Sequence, residues 1–322
     1  DIPNTMKSLQ IVAPNKVEIV DLPIPKHGDN EVLVKVKGVA TCPHWDINML
    51  SGTDIFERPG YPKYPIPAGY PGHEMSGEIV AIGKNVTIFN IGDRVAATKA
   101  GGETNHGFYC EYINRPVELI AKIPDNTSYE AGAVLELARY CASHVRATNY
   151  NELRVGVIGL GGGGLIALQL VKALGAREVV AIDIDPERLR LAKTIDNVET
   201  LNSSTKNGLA YLQEHPLDVS IDCSGVAAGL QTALDYTHGA VVIFGVVHGE
   251  AKYSMHHWRQ RTYIAQRIGP DDSDTKFIQD LWSTEKLDTE LLITKSMPFT
   301  QYKEGVQSLI DKKAIKIFFY PY

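Results

Sequence analysis

Three glycines near the middle of the chain, Gly159, Gly161 and Gly164, are spaced G-x-G-x-x-G. The apolar segment 155–158 before them has the length of a buried strand, and the mostly apolar segment after them predicts a helix that ends at Gly175. Such a turn lets backbone approach a pyrophosphate, and the N-terminus of the following helix offers N–H groups and a positive dipole to the phosphates. These residues therefore predict a dinucleotide-binding turn.

The next predicted strand, 179–182, ends on an acid. Asp183 lies 19 residues after Gly164. A carboxylate at this distance can accept hydrogen bonds from a ribose 2′-OH and would repel a 2′-phosphate, which favours NAD(H) over NADP(H). The alternative is an ordinary α/β turn that binds no nucleotide, and the strand, helix and acid around the glycines argue against it.

Composition limits the partners and the compartment. A length of 322 residues suits about two domains. The net charge of −6 argues against nucleic acid or an anionic membrane as the main partner, and no apolar stretch reaches the ~20 residues that span a bilayer. Because the cysteines at 42, 110, 141 and 223 lack the spacing of a disulfide framework, we expect a reduced, cytoplasmic protein.

The two halves of the chain differ in their predicted elements. Residues 7–52 are typical of strands and turns, with an alternating strand at 31–37, and residues 71–94 complete a β region. We expect Pro43 to begin a loop, and the proline-rich segment 53–71 to be a surface loop. From about residue 128 helices begin, and strands alternate with helices up to residue 244. A helix at 300–313 and a strand at 315–320 complete the chain.

Several motifs together resemble one family. They are Gly72-His-Glu-x-x-Gly77, Gly92-Asp-Arg-Val95, the glycine fingerprint at 159–164, Asp222-Cys-Ser-Gly225 and Lys312-x-x-Ile-Lys316. Over essentially its whole length the chain resembles the medium-chain dehydrogenase/reductases, in particular the zinc-type alcohol and polyol dehydrogenases. The resemblance implies an α/β Rossmann domain with a doubly wound parallel sheet at 138–285. It also implies a GroES-like, mostly-β catalytic domain formed by 1–137 and 286–322.

The resemblance also implies a catalytic zinc and no structural zinc. In that family the zinc lowers the pKa of the alcohol, which then transfers hydride to the nicotinamide. Ligand roles carry over to His73, to Glu74 beside it and to Glu136, for which a helix-surface glutamate is the alternative and Cys141 a weaker candidate. The family's structural zinc needs four cysteines, but residues 96–112 contain only Cys110.

Cys42 admits two alignments. Counted forward from the strand at 31–37, it falls on the family's ligand cysteine, whereas counted backward from Asp46, Pro43 falls there. We anchor on the strand, since burial fixes strand register while a loop absorbs an inserted residue. Cys42 is then a ligand, and a merely buried thiol is the alternative. The inserted residue also removes the Ser/Thr that relays the alcohol proton, and His44 either replaces it as general base or is a surface histidine.

These expectations give one set of site residues. We predict metal ligation by Cys42, His73, Glu74 and Glu136, and catalytic roles for His44, Asp46 and Glu74. Cofactor contacts are predicted at Gly159, Gly161, Gly162, Gly164, Asp183, Arg188 and Ser224. Arg188 is equally compatible with a solvated helix position, and His256 and His257 are interpreted as loop residues rather than a metal pair.

The predicted function is a zinc-dependent, NAD(H)-linked dehydrogenase that interconverts a secondary alcohol or polyol-like substrate and its ketone. The alternatives are a zinc-free quinone or enoyl reductase of the same family and a non-catalytic dinucleotide-binding protein. Asp183 and the predicted ligands argue against the zinc-free reductase. The expected partner is a small alcohol or ketone, and relatives suggest a homodimer or homotetramer.

Overall fold

The computed structural model describes residues 2–99, 106–267 and 269–322. These residues form two compact units. Unit 1 comprises Asp1–Glu136 and Thr289–Tyr322, and unit 2 comprises Leu137–Asp288. The domain boundaries predicted from the sequence were 137/138 and 285/286.

The regular elements are numbered in chain order. The strands are β1 (Thr5–Ala13), β2 (Lys16–Pro23), β3 (Glu31–Ala40), β4 (Glu74–Ile82), β5 (Arg94–Ala97), β6 (Tyr112–Pro116), β7 (Ile120–Lys122), β8 (Arg154–Ile158), β9 (Glu178–Asp183), β10 (Val198–Asn202), β11 (Val219–Asp222), β12 (Ala240–Ile243), β13 (Tyr263–Ala265), β14 (Ile293–Pro298) and β15 (Lys316–Tyr320). The helices are α1 (Pro43–Ser51), α2 (Tyr129–Ala133), α3 (Leu135–Val145), α4 (Gly162–Ala173), α5 (Pro186–Ala192), α6 (Lys206–Glu214), α7 (Ala227–Tyr236), α8 (Met255–Arg259), α9 (Asp272–Ser283) and α10 (Tyr302–Ile310). Short 3₁₀ turns occur at Val117–Leu119, Glu290–Leu292 and Phe299–Gln301.

Unit 1 contains a two-stranded hairpin, β1–β2, and a seven-stranded sheet in the order β14-β15-β3-β4-β5-β7, with β6 paired to β3. The alternating valines predicted for the strand at 31–37, Val32, Val34 and Val36, are all buried in β3. The strand continues to Ala40, beyond its predicted end. Because β3 is antiparallel to β4, Ala40 lies opposite Glu74, the first residue of β4. This register places the end of β3 next to the Pro-Gly-His-Glu turn.

The segment after β3 corrects the predicted loop at Pro43. It is a helix, α1, in which Pro43 occupies the first turn and Cys42 is the N-cap. Proline is well suited to this position, since its fixed φ is already helical and its missing N–H would have no partner in the helix. The helix ends at Gly52, whose φ of 89° is left-handed. The prediction was wrong because proline was interpreted only as a breaker.

The proline-rich segment 53–71 contains no helix or strand, as predicted. Its surface location was correct only for the first half. Ile66, Ala68 and Tyr70 are buried, and the first and last of these belong to the core of unit 1. The backbone N–H of Ile66 donates to the carbonyl of Ile11 at 2.9 Å. The loop therefore packs under the hairpin, which a pattern of prolines alone does not show.

Unit 2 is a six-stranded sheet in the order β10-β9-β8-β11-β12-β13. All five neighbouring pairs are parallel. The strand order reverses between β8 and β11, and in such doubly wound sheets ligands bind at the carboxyl ends of the strands beside this switch point. The turn from β8 into α4 carries the glycine fingerprint. The predicted α/β fold with a doubly wound parallel sheet is confirmed.

Two further predictions change in detail. The helix predicted at 300–313 consists of a 3₁₀ turn followed by α10, and it ends at Ile310. His256 and His257 lie in helix α8, not in a loop. Over residues 2–99, 106–267 and 269–322, no helix is long and apolar enough to cross a membrane.

Candidate metal and cofactor sites

Strand register brings three predicted ligands together in unit 1. Cys42 follows the end of β3, and His73 immediately precedes Glu74 at the start of β4. The thiol, one imidazole nitrogen and one carboxylate oxygen of these residues lie within 4.8 Å of one another. Residues that are 31 positions apart in the sequence thus form one group because Ala40 and Glu74 are cross-strand neighbours.

The His73 ring is fixed by a backbone contact. Its Nδ1 lies 2.8 Å from the carbonyl oxygen of Pro71, which can only accept, so Nδ1 carries the proton and donates. Nε2 lies 3.8 Å from Oε1 of Glu74. A metal-binding histidine commonly has its second nitrogen held in this way. The contact with Pro71 therefore orients His73 as an Nε2 ligand.

The charges around His73 also favour cation binding. Burial lowers the pKa of His73, but the hydrogen bond to Cys42 and the negative charges of Cys42, Glu136 and Glu74 raise this pKa well above its ordinary value. Three groups that are negative when ionised thus act on one imidazole. A bound metal ion would balance their charges.

Glu74 is held by a buried lysine. Nζ of Lys316 donates to Oε2 of Glu74 at 2.7 Å and to the carbonyl of Thr41 at 2.6 Å. Glu74 is 1% exposed and Lys316 is 2% exposed. The lysine reaches this position because β15 is antiparallel to β3, with Phe318 opposite Ala40. One carboxylate oxygen of Glu74 is therefore paired, while the other faces His73.

Asp46 is buried beneath Cys42. Its Oδ2 accepts the backbone N–H of Cys42 at 2.7 Å, and its Oδ1 accepts the hydroxyls of Tyr109 and Tyr302, each at 2.7 Å. Burial raises the pKa of Asp46, while the hydrogen bonds from Tyr302, Tyr109 and Cys42 lower it, and the net shift is upward. This environment suits a residue that positions Cys42, since Asp46 is 1% exposed.

The other predicted residues of this unit lie around the group. Glu136, in the first turn of α3, is half-buried and close enough for its charge to raise the pKa of His73. His44, in the first turn of α1, is exposed. The ring centroid of Trp45 lies 6.4 Å from that of His73. Lys316 belonged to a quoted motif, but nothing in the sequence indicated that it pairs with Glu74.

The glycine fingerprint in unit 2 has the geometry of a phosphate-binding turn. Gly159 has a φ of 87°, and a Cβ there would lie 2.6 Å from backbone atoms of Ser224. A Cβ on Gly164 would lie 1.8 Å from the carbonyl oxygen of Gly159. A Cβ on Gly161 would meet only Nη1 of Arg188, at 3.7 Å. Gly159 and Gly164 are therefore required by the fold, whereas Gly161 borders open space.

The N-terminus of helix α4 adjoins the same glycine turn. Gly161 is the N-cap of α4, and among the described residues no side chain caps it. The first N–H groups of a helix need partners, and an anion can provide them. Gly162 and Gly163 form the first turn, where Phe244 packs against Gly163. The open N-terminus and the open space at Gly161 together provide a cradle for phosphate.

Asp183 lies at the carboxyl end of β9, as expected for a ribose ligand. Its Oδ2 accepts the N–H of Leu160 at 2.7 Å, and its Oδ1 accepts the N–H groups of Ile184 and Asp185 at 2.7 and 2.9 Å. The carboxylate thus ties the glycine turn to the end of β9. Oδ2 has a second lone pair with which it can accept from a ribose hydroxyl.

Two other predicted cofactor residues also lie near the turn. Nη1 of Arg188 is the nearest group to the open side of Gly161, and Nε of Arg188 lies 3.9 Å from Asp185. The backbone of Ser224 packs against Gly159, and the hydroxyl of Ser224 donates to Oδ1 of Asp222 at 2.6 Å. Ser224 therefore shapes the turn through its main chain. Arg188, in contrast, places a charged side chain next to the glycines.

The histidines of α8 have a structural role. Nε2 of His257 lies 2.7 Å from Asp235, and Nδ1 accepts the backbone N–H of Ser254 at 2.8 Å. His257 is buried, whereas His256 is exposed. Both ring nitrogens of His257 are used to hold the start of α8 against α7. That the two histidines are not a metal pair stays a prediction.

Comparison with known proteins identifies the family. Residues 28–125 match the alcohol dehydrogenase GroES-like domain, and residues 162–280 match the zinc-binding dehydrogenase family. The chain is 27% identical to the L-threonine 3-dehydrogenase of Proteus mirabilis (strain HI4320), over 97% of this chain and 98% of that protein. It is 28% identical to the sorbitol dehydrogenase of Bacillus subtilis (strain 168), over 72% of each. The crystal structure of 2R,3R-butanediol dehydrogenase from Bacillus subtilis superimposes with a TM-score of 0.85 at 26% identity, over 98% of this chain and 100% of that chain.

The chain belongs to the zinc-type medium-chain dehydrogenase family. The resemblance inferred from the sequence motifs is confirmed, and with it the GroES-like and Rossmann folds of the two units. The protein is an oxidoreductase of the class that acts on CH–OH groups.

The donor set of unit 1 fits the family's catalytic metal. A thiol, an imidazole oriented through Nε2 and carboxylates are the ligand types that Zn²⁺ takes in catalytic sites. The predicted absence of a structural zinc concerns residues 96–112, of which 100–105 lie outside the described residues. Cys110, the only cysteine in that segment, is buried and its Sγ lies 3.2 Å from the carbonyl of Tyr112. Burial raises the pKa of the Cys110 thiol to about 12.

Proposed function

We propose that this protein is a zinc-dependent, NAD(H)-linked dehydrogenase that interconverts a secondary alcohol and its ketone. The observation that carries the proposal is the convergence of Cys42, His73 and Glu74 within 4.8 Å, with the charge of Glu136 acting on the same imidazole. Cys42, His73 and Glu136 would hold the metal, and Glu74 would lie beside it. A zinc ion held there would supply Lewis acidity towards the oxygen of the substrate.

The residues of the chain prepare this site in three ways. The carbonyl of Pro71 fixes the tautomer and the orientation of His73. Lys316 fixes one oxygen of Glu74, so that the other is directed towards His73. Asp46 fixes the backbone of Cys42. Each contact reduces the conformational freedom of a ligand before the metal arrives, as outer contacts do in other metal sites.

A proton must also leave the substrate during oxidation. Residues 43–45 are Pro, His and Trp, so no serine or threonine hydroxyl is available there. We assign the general base to His44, since its exposed position lets an imidazole exchange protons with water. Replacing His44 with Gln is expected to remove the acid-side limb of the pH profile of kcat, on which activity falls as the base becomes protonated.

NAD(H) is the cofactor that the fingerprint supports best. The N-terminus of α4 would receive the pyrophosphate, and Oδ2 of Asp183 would accept from the adenosine ribose. A carboxylate in this place disfavours a 2′-phosphate. The proposal requires NADH to bind at least about tenfold more tightly than NADPH, which fluorescence titration measures.

We further propose self-association to a homodimer or homotetramer. β13 lies at the end of the six-stranded sheet, and Tyr263 and Ile264 on it are exposed. Trp258, in the preceding α8, is exposed as well. An open strand edge with apolar side chains commonly pairs with another chain. Light scattering after size-exclusion chromatography determines the mass in solution.

One experiment tests the proposed reaction. Purified protein is expected to contain about one zinc ion per chain, from the ligand count of a catalytic site. It should reduce NAD⁺ with a panel of secondary alcohols and lose this activity on chelation. Activity that survives removal of zinc, with quinones or activated alkenes as substrates, would contradict the proposal and support the zinc-free reductase. Tight NADH binding without turnover of any substrate would support a non-catalytic protein.

A further inference from the structure

Three aromatic side chains of unit 1 form a continuous cluster next to His73. We call Trp45, Phe56 and Tyr70 the aromatic wall. The ring centroid of Trp45 lies 5.9 Å from Phe56, 6.0 Å from Tyr70 and 6.4 Å from the imidazole of His73. All three contacts are edge-to-face, with interplanar angles of 70–78°. Trp45 thus connects the proposed metal ligand to the other two rings.

The outer end of the wall is fixed by an ion pair. The guanidinium of Arg58 lies 5.3 Å from the ring of Phe56 and 3.9 Å from the ring of Tyr61. Asp54 binds this guanidinium through two hydrogen bonds, at 2.7 and 2.8 Å. Cation–π contacts and a two-point ion pair give the loop a defined geometry although it has no helix or strand. Phe56 is therefore held in place.

Phe56 nevertheless remains 57% exposed, and Trp45 is half-buried. Phe56 is joined to His73 through Trp45, and an aromatic ring that is held in place and still open to water is typical of a binding surface. The cation of Arg58 is matched by Asp54, so this end of the wall carries little net charge for an anionic substrate. The surface is best suited to an apolar group.

We propose that the aromatic wall is the substrate subsite next to the proposed metal, and that it binds an aryl or branched alkyl substituent on the carbinol carbon. The inference depends on the proposed dehydrogenase function and names its substrate class. A polyol would place hydroxyl groups against ring edges and faces, where they lose hydrogen bonds to water without replacement. The substrate is thus an apolar secondary alcohol, not a sugar alcohol.

Steady-state kinetics with two secondary alcohols tests this assignment in the full-length, zinc-loaded protein. For the unmodified protein, kcat/KM for 1-phenylethanol should exceed that for 2,3-butanediol by about tenfold or more, from burial and ring contacts. Trp45→Ala should lower the value for 1-phenylethanol by about 10- to 100-fold and leave that for 2,3-butanediol within about threefold. Phe56→Ala should act in the same direction. Its fold is less at risk because Phe56 is more than half exposed.

Ile91→Ala is the matched control, since Ile91 is an exposed apolar residue of unit 1 outside the aromatic wall. This variant should leave kcat/KM unchanged for both alcohols. A preference of the unmodified protein for the diol would overturn the inference, as would an equal loss for both alcohols in Phe56→Ala.

Ligand binding separates the subsite from the reaction. Acetophenone should bind the zinc-loaded protein in saturation-transfer NMR, and Trp45→Ala and Phe56→Ala should weaken it by about tenfold or more. If no alcohol is oxidised but this pattern is observed, the subsite is supported and the dehydrogenase function fails. If alcohols are oxidised and acetophenone binds equally to all variants, the subsite is wrong while the function is supported.

Discussion

The two candidate sites of this protein are built from different chemical groups. The glycine turn of unit 2 uses backbone atoms of six consecutive residues, 159–164, together with one carboxylate, Asp183. The ligand group of unit 1 uses side chains from three distant segments, 42–46, 73–74 and 316. A backbone site is specified where its glycines occur in the sequence. A side-chain site forms only if the sheet register is correct, and each of its side chains can be lost separately by substitution.

Substitution of Cys42 should have the largest effect on the side-chain site. Cys42→Ser is expected to reduce kcat/KM on the order of 10⁴-fold and to lower the zinc content to near zero, because a serine hydroxyl is a poor zinc ligand at neutral pH. Metal analysis and steady-state kinetics measure both effects. Cys110→Ser is the matched control in the same unit, and it should keep its zinc. A Cys42→Ser variant that retains stoichiometric zinc would show that Cys42 is only a buried thiol.

Lys316 provides the next largest effect. Lys316→Met leaves the buried carboxylate of Glu74 without its cation, and breaking one partner of a buried ion pair costs about 3–5 kcal/mol. Urea unfolding of the protein measures the loss. Lys84→Met is the control, because Lys84 forms an exposed pair with Asp29 and its replacement should cost no more than about 1 kcal/mol. Equal losses in the two variants would mean that the burial of Lys316 is unimportant.

In the glycine turn, alanine substitutions at two positions should separate an effect on NADH binding from an effect on folding. Gly161→Ala places a methyl group in open space, 3.7 Å from Arg188, so the protein should fold and bind NADH about tenfold more weakly. Gly164→Ala places it 1.8 Å from the carbonyl of Gly159 and should destabilise unit 2 itself. Thermal unfolding and NADH titration distinguish the two variants. If Gly161→Ala binds NADH normally, the pyrophosphate does not lie at this turn.

The smallest expected effect concerns Tyr302. Tyr302→Phe removes one of the two hydroxyls that hold Asp46, and Asp46 holds Cys42, so zinc affinity should fall about tenfold. Competition with a chromophoric chelator measures this affinity. Tyr150→Phe also removes a buried hydroxyl, one that donates to the carbonyl of Val145 at 2.6 Å in unit 2, and it should lower stability alone. Equal zinc affinities for the two variants would reduce Tyr302 to a structural residue.

Local patterns predicted some parts of the fold better than others. The alternation of Val32, Val34 and Val36 predicted a strand correctly because a half-buried strand must alternate. The prediction at Pro43 was wrong, since proline can break a strand or begin a helix, and only the residues after it decide between these two outcomes. The buried end of the loop 53–71 could not be predicted, because its burial depends on the hairpin that covers it.

The ligand residues show the same division. His73 and Glu74 could be proposed from their motif, and Cys42 by counting from the strand at 31–37, but the pairing of β3 with β4 that joins them was not predicted. No periodicity indicated that Tyr109 and Tyr302 would meet at Asp46, or that Trp45 would contact His73. Their roles as ligands and supports remain predictions.

The sequence by itself determined the family, the two folds and the place of the glycine turn, because these depend on contiguous residues whose backbone requirements are local. Only the tertiary structure decided which side chains surround the candidate ligands. Lys316 reaches Glu74, and Tyr302 reaches Asp46, through the antiparallel pairing of β15 with β3 and the packing of α10 against α1. Such contacts join residues more than 240 positions apart, and burial rather than spacing selects them.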